Sequence, residues 1–352
     1  MTSVDSGSGS VPGSAEDLAG RVREAAGALT GLCRRTPLVE ARFGDVPVQL
    51  KLENLQHTGS FKYRGALATL RAAQAAGPIS SCVTYSAGNH GRALARAARA
   101  AGVPATVLMP SFAEPAKVAL VEAEGASALL VEGGLLAATA QELVERTGAL
   151  FVHPFDQLSI MAGQGTVGLE ILEQHAEAAR TSAGREAEGA ASAADEDRPL
   201  DVLLVPVGGG GLVSGIAAIA AQLSPETRVI PVEPERAGDL HESLAAGRIV
   251  PWDRTVTATT IADGLRAPAV GEHPWSIIHG RIDESLTVSE ASILAAMRVI
   301  AAETNTIVEP SGAVAAAAVL QHPARFKGLS VAAVVSGGNI APARFAEMLA
   351  EG

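Results

Sequence analysis

Short runs of β-branched and aliphatic residues alternate along this chain with longer alanine-rich stretches whose apolar positions recur at helical spacing. "CVTY" (82–85) precedes a helical pattern over 89–101, "ATVLM" (105–109) one over 115–124, and "ALLV" (128–131) one over 135–147. The rhythm resumes with "DVLLVPV" (201–207) before 211–223, "RVIPVE" (228–233) before 239–246, and "VAAVVS" (331–336) before 341–350. A strand that returns parallel to its neighbour needs a crossover helix, so the alternation predicts βαβ units with right-handed connections. Two such series predict an α/β fold of two lobes built on open parallel sheets, with the cleft between them as the natural ligand site. Between the series, residues 176–200 hold Ala, Glu, Gly and Ser without apolar periodicity and predict a flexible, solvated loop; the first fifteen residues predict a disordered tail.

Three strand ends run into glycine-rich turns. After "DVLLVPV" come four consecutive glycines, Gly208 to Gly211, and then a helical pattern. Four glycines cost backbone entropy and contribute no side-chain packing, so they predict a loop whose amides close around an anion, with the helix dipole adding to the attraction. The spacing Gly209, Gly211, Gly215, with Glu233 closing the next strand, is a loosened dinucleotide fingerprint, which leaves an NAD(P) protein open at this point; Ser214 stands where the strict pattern has its last glycine. "SAGNHG" (86–91) opens a second helix with free amides suited to a carboxylate or phosphate, and "SGGN" (336–339) makes a third such turn.

Composition then removes whole classes. The chain has 352 residues, 47% of them hydrophobic and only 3% aromatic, so a large core must be built from Ala, Val, Leu and Ile. A formal charge of −11 argues against nucleic acid as a partner. Two cysteines, Cys33 and Cys82, cannot make a disulfide framework and predict reduced thiols in a cytoplasmic protein. "MTSVDSGSGSVPGSAED" carries neither a basic cluster nor an apolar stretch, so no signal or anchor is expected, and no run approaches a membrane span. Against this scarcity of rings, "GSFKYRGA" (59–66) sets Lys62 between Phe61 and Tyr63. Neighbouring rings help to shield an amine, and a shielded lysine is neutral and nucleophilic more readily than a solvated one.

Taken in order, "TPL" (36–38), "KLENLQHTGSFKYRGA" (51–66), "SAGNHG" (86–91), "HPFDQLSIMAGQGTVGLE" (153–170), "PVGGGGLVSG" (206–215), "TIADGL" (260–265), "EPSGA" (309–313) and "SGGN" (336–339) resemble the fold type II pyridoxal-phosphate enzymes, which have the tryptophan synthase β-like architecture. Within them the resemblance is to the threonine dehydratase and serine racemase branch. It implies a small-molecule amino-acid substrate, a homodimer, a large cofactor-binding lobe from 16–79 and 159–352, and a small lobe from 80–158. It also implies that Lys62 bonds the cofactor aldehyde, that Phe61 packs on the pyridine ring, and that Gly208, Gly209, Gly210 and Gly211 hold the phosphate. Asn89 would bond the ring oxygen and Ser336 would face the ring nitrogen, while Ser86, Ala87, Gly88, Asn89 and His90 would grip the substrate carboxylate. A neutral serine opposite the ring nitrogen makes a weaker electron sink than a carboxylate and favours prompt loss of a β-substituent.

The implied reaction is α,β-elimination from a β-hydroxy amino acid, with Lys62 taking the α-proton and a 2-oxo acid and ammonia as products. Racemisation needs a second acid or base on the opposite face, a serine in the racemase pattern, where this chain has Ala87 next to Ser86. Elimination is therefore expected, with amino-acid racemisation and the ammonia-lyases of hydroxyaspartate or compatible-solute breakdown as alternatives. In "PVEPERAGDL" the resemblance implies Mg2+ or Ca2+ on Glu233, Asp239 and the carbonyl of Ala237, ligands proper to a hard cation, although both acids could equally be solvated. Only a short helix follows "SGGN", so feedback by isoleucine through an appended domain is not expected.

Overall fold

The structure is a computed structural model, and it describes residues 14–86, 88–186 and 199–350. Among the described residues ten strands run β1 Leu38–Phe43, β2 Val46–Leu52, β3 Cys82–Tyr85, β4 Ala105–Pro110, β5 Ser127–Val131, β6 Leu150–Phe151, β7 Val202–Pro206, β8 Arg228–Pro234, β9 Leu286–Val288 and β10 Val331–Val335. They form two sheets, one of six strands in the order β1-β2-β10-β7-β8-β9 and one of four in the order β5-β4-β3-β6. Every pairing is parallel except that of β1 with β2. The two strands richest in continuous apolar residues, β7 and β10, are buried at every position and sit side by side at the centre of the larger sheet. That is where a parallel strand covered on both faces belongs.

The β1–β2 hairpin was not legible, because Pro47 and Lys51 interrupt its apolar run. Lys51 is nevertheless fully buried, its ammonium bonded to Glu170 (2.6 Å), the Thr36 carbonyl (2.7 Å) and Gln174 (2.7 Å).

Two boundaries differ from expectation. The residues 176–200 expected as a loop begin as helix: Leu158–Glu186 is one element, since Ala, Glu and Arg are strong helix formers even without an apolar stripe; 187–198 lie outside the described residues. The expected tail of fifteen residues also ends early. Ser14 caps the helix Ala15–Leu29, its hydroxyl accepting from the Asp17 amide while the Asp17 carboxylate accepts from the Ser14 amide; residues 1–13 lie outside the described residues. Among the described residues no helix is long and apolar enough to cross a membrane.

The topology brings three chain segments to one place. β2, β10 and β7 are neighbours and parallel, so the "SFKYR" segment after β2, the "SGGN" turn after β10 and the glycines after β7 all emerge at the same edge of the sheet. The helix Lys62–Ala76 is seated there by Arg64, which is fully buried. Its guanidinium grips Glu53 through two bonds of 2.8 Å and Glu170 through bonds of 2.7 and 2.9 Å. Burial pushes the Glu53 carboxyl up, but bonded Arg64, with Lys51 and Thr36, more than offsets it and leaves the group below its ordinary value. Removing one member of a buried ion network strands its partners, at a cost of about 3–5 kcal/mol. Arg64→Met is therefore expected to lose stability of that order in urea unfolding. A loss under about 1 kcal/mol, the scale of an exposed pair, would show that the network does not seat this helix.

Candidate active site

A cavity of about 520 Å3 opens between the two sheets. Phe61, Lys62, Ser86, Gly88, Asn89, His90, the four glycines 208–211 and Ser336 all line it. Ala87 lies outside the described residues. Glu233, Ala237 and Asp239 do not line it; Glu233 lies near the C-terminal end of β8, and Ala237 and Asp239 just after that strand.

Lys62 is the first residue of its helix, and its ammonium donates to the Pro154 carbonyl at 2.8 Å, 5.0 Å from the centre of the Phe61 ring. Desolvation pulls its pKa down to about 8, with no charged neighbour offsetting it. The Phe61 amide donates to the Ser336 carbonyl, and the Gly338 amide to the Gly59 carbonyl, so the strip before Lys62 is stitched to the "SGGN" turn. The Ser336 hydroxyl donates to the Ser311 carbonyl at 3.3 Å. Ser86 is held by its amide to the Leu108 carbonyl, and its hydroxyl accepts from the Gly88 amide at 3.2 Å.

The glycine turn begins the helix Gly211–Leu223, and Gly210 takes φ +89, where side chains are rarely found. At Gly209 a Cβ would lie 2.3 Å from the ring of Phe155, a residue whose part in the site had no sequence signal beyond its place in "HPFD". His153 shapes that segment: its Nδ1 accepts from the amides of Phe155 (3.2 Å) and Asp156 (2.7 Å), leaving Nε2 to face the Tyr85 hydroxyl at 3.2 Å. Two amides donating to one ring nitrogen require it unprotonated, and burial, the largest cause, lowers the His153 pKa to about 4. His90 is buried against the Val152 carbonyl and lowered by burial to about 3, so its ring is neutral.

Gly215 and Glu233 do other work than the dinucleotide reading requires. A Cβ at Gly215 would meet the Met161 carbonyl at 2.2 Å and Gly165 at 2.8 Å, so this glycine lets two helices cross closely. The Glu233 carboxylate, fully buried, accepts from the amides of Leu240 (3.0 Å) and His241 (2.7 Å). Buried and engaged in this way, Glu233 is not free to bind a ribose. Beside Glu233, both carboxylate oxygens of Asp239 are buried without a hydrogen bond of normal geometry, although the amides of Val270 and Asp239 itself pull the group down somewhat. Burial raises Asp239 to about 7, and burial together with Asp239 raises Glu233 well above its ordinary value. Among the described residues no cluster of three or more His, Cys, Asp or Glu could hold a metal.

Comparison with known proteins gives this geometry its context. Residues 29–337 match the pyridoxal-phosphate dependent enzyme family. The chain is 37% identical to an L-threonine ammonia-lyase of Geobacter sulfurreducens, over 91% of this chain and 75% of that one. It is 35% identical to an L-threo-3-hydroxyaspartate ammonia-lyase of a Pseudomonas species, over 93% and 97%. The solved serine racemase of Dictyostelium discoideum, 31% identical, superposes with a TM-score of 0.79 over 92% of this chain and 98% of that one.

The Phe155 contact makes the glycine turn testable. Gly209→Ala is expected to cost about 1–3 kcal/mol by forcing that ring aside, and Phe155→Ala in the same chain should relieve most of the added strain. Strain that persists in the double variant would assign the close approach to something other than Phe155.

Proposed function

We propose, because the chain belongs to the pyridoxal-phosphate-dependent enzyme family, that it is an ammonia-lyase performing α,β-elimination on a β-hydroxy amino acid such as L-threonine or L-serine, releasing a 2-oxo acid and ammonia. The observation that carries this reading is the desolvated amine of Lys62, held in the cavity that the glycine turn, Ser336 and Asn89 also line. When bound, pyridoxal phosphate supplies an electron-withdrawing ring that makes the α-proton of an amino acid acidic. Lys62 would anchor the cofactor and would take that proton; a pKa near 8 keeps a useful fraction of the amine neutral at physiological pH. The amides of Gly208–Gly211, at a helix N-terminus, would hold its phosphate, and Phe61 would cover its ring. Ser86, Gly88 and the start of the helix Asn89–Ala101 hold the substrate carboxylate.

Racemisation is the second reading, favoured by the likeness to serine racemases, and 3-hydroxyaspartate is a further candidate substrate from the Pseudomonas relative. Lobe boundaries at 79/80 and 158/159 agree with the four-stranded sheet lying wholly within 80–158. A dimeric, cytoplasmic protein completes the proposal, with two cysteines that are both free thiols. Light scattering of the purified chain tests the dimer.

Borohydride reduction of the protein loaded with pyridoxal phosphate should fix the cofactor to the peptide carrying Lys62, and Lys62→Ala should lose at least ~10^4-fold in ammonia release from the preferred substrate among L-threonine, L-serine and the 3-hydroxyaspartates, the scale of losing a covalent anchor and base together. Label on a different lysine ends the assignment. Deuterium entering recovered substrate with little ammonia formed would decide for racemisation.

The Mg2+ or Ca2+ expected at Glu233, Ala237 and Asp239 is retained in this reading because the two buried acids are close enough for Asp239 to raise Glu233, and the Asp239 oxygens lack a hydrogen bond of normal geometry. With the folded pKa of Asp239 raised to about 7, the stability linked to its proton is full in acid, below the usual carboxylate range, and is lost as pH rises through about 7. Chelator-treated protein should therefore melt lower at pH 8 than at pH 5, and Asp239→Asn should flatten that difference. At pH 8 added Mg2+ or Ca2+ should restore the wild-type melting temperature and leave Asp239→Asn unmoved. No response of the wild type to either ion means that the two acids share a proton instead.

A further inference from the structure

Glu309 has no part in the function as described so far, and its situation is unusual. It precedes the helix Pro310–Gln321 as its N-cap, a place where an acidic side chain ordinarily turns back to catch a free helix amide, yet its carboxylate makes no such bond. Instead it is turned into the cavity wall, only 4% of the residue exposed. One oxygen accepts from the Asn89 side-chain amide at 2.6 Å and the other from the Asn339 backbone amide at 3.1 Å. A Cβ at Gly337 would lie 2.3 Å from the first oxygen, so the "SGGN" turn leaves room for this carboxylate and for little else. Burial pushes Glu309 up to about 7, with Asp263 adding to the rise and the bonds from Asn89 and Asn339 and the charge of Lys117 opposing it. A buried acid that returns nothing to its own helix needs another reason to be there.

The reason lies in what it does to Asn89. A side-chain amide can present either its oxygen or its nitrogen, and only its partners decide which. The Glu309 oxygen that meets Asn89 is the acceptor, so the nitrogen of Asn89 faces Glu309. On the other side the Asn339 side-chain nitrogen donates to the Asn89 oxygen at 2.7 Å, while its second hydrogen goes to the Thr58 carbonyl at 2.7 Å. Asn339 is itself oriented by Arg92, which donates to its oxygen at 3.0 Å. Both ends of the Asn89 amide are thereby specified. Its oxygen is occupied, and of its two N–H groups one is taken by Glu309 and the other has no acceptor among the described residues, on a side chain that lines the cavity.

We infer that Glu309 is a positioning residue, which locks the Asn89 amide so that its remaining N–H is presented to the ring oxygen of pyridoxal phosphate. The inference rests on the cofactor reading above and adds to it the device that makes Asn89 a donor. A reversed amide would set an oxygen against that oxygen. Held as it is, the N–H favours the ionised form of the ring oxygen and so the electronic state of the bound cofactor.

The test uses apo-protein titrated with pyridoxal phosphate, following both the dissociation constant and the visible absorption band. Glu309→Gln keeps the shape but brings an amide nitrogen against either the Asn339 N–H or the Asn89 nitrogen. Expected are at least fivefold weaker cofactor binding and a changed ratio of absorption bands. In an Asn89→Ala background the same substitution should add little, because its effect passes through Asn89. A Glu309→Gln protein with wild-type band and affinity overturns the inference, as do losses that multiply independently of Asn89. Glu309→Asp, one methylene shorter with the charge kept, guards against a folding effect: should both variants melt far below wild type without cofactor, Glu309 serves the fold and the inference fails. A wild-type protein that develops no visible band sinks the cofactor reading itself, a result distinct from all of these.

Discussion

A guanidinium with no access to water sits two residues beyond Lys62, and two carboxylates from distant parts of the chain close on it. Glu53 comes from the end of β2 and Glu170 from the long helix Leu158–Glu186; Glu170 also binds Lys51. Four charges are thus neutralised pairwise in a place where any one alone would be prohibitively costly. Arg64 satisfies that demand in one arrangement only, since a planar fork bonds two carboxylates in fixed directions. Its helix therefore has no freedom to rotate or slide, and Lys62, in the same first turn, is aimed into the cavity by a network that never touches the cavity.

Around that fixed point the glycines act through what they allow to approach. Gly163 would collide with Arg64 and Ala68 if it carried a Cβ, and Gly165 with Val22 and Gly215. The long helix is thus seated against the helix Lys62–Ala76 on one side and the helix Gly211–Leu223 on the other. The same closeness that packs these helices sets the distance between the lysine and the glycine turn. Packing and site share residues here, so a change made for one is felt by the other.

Much of this was legible in the chain. The six strand and helix pairs read from apolar patterning all exist, because β-branched runs and helical apolar spacing are signals carried by local sequence. The cofactor family was legible because glycine turns and one shielded lysine recur in a fixed order. What escaped notice depended on partners remote in sequence. Lys51 reads as a break in a strand until Glu170 is brought to it across 119 positions, and Glu309 is only one letter of "EPSGA" until Asn89 arrives from 220 positions away. Phe155 carries no mark of its contact with Gly209, since a ring in a loop looks the same whether or not a glycine lies under it. The helix running on to Glu186 was missed for a different reason: residues with high helix propensity extend a helix into solvent without leaving any apolar stripe.

The choice of partner for Lys62 is what ties the fold to a chemistry. Its ammonium rests on the carbonyl of Pro154, a neutral acceptor, and no carboxylate offsets its burial. A carboxylate in that position would form an ion pair and hold the amine charged, as Glu170 opposes the desolvation of Lys51. A carbonyl orients the group without stabilising its charge nearly as much. That carbonyl is itself held in place, because the adjoining His153 accepts two amides from the same turn and must stay neutral to do so. The chain thus places two lysines in different surroundings: Lys51, buried and bonded to an acid, and Lys62, set in the cavity wall without a counter-charge. The difference comes from what each faces, and in both cases the facing group is delivered by a segment some ninety or more positions away.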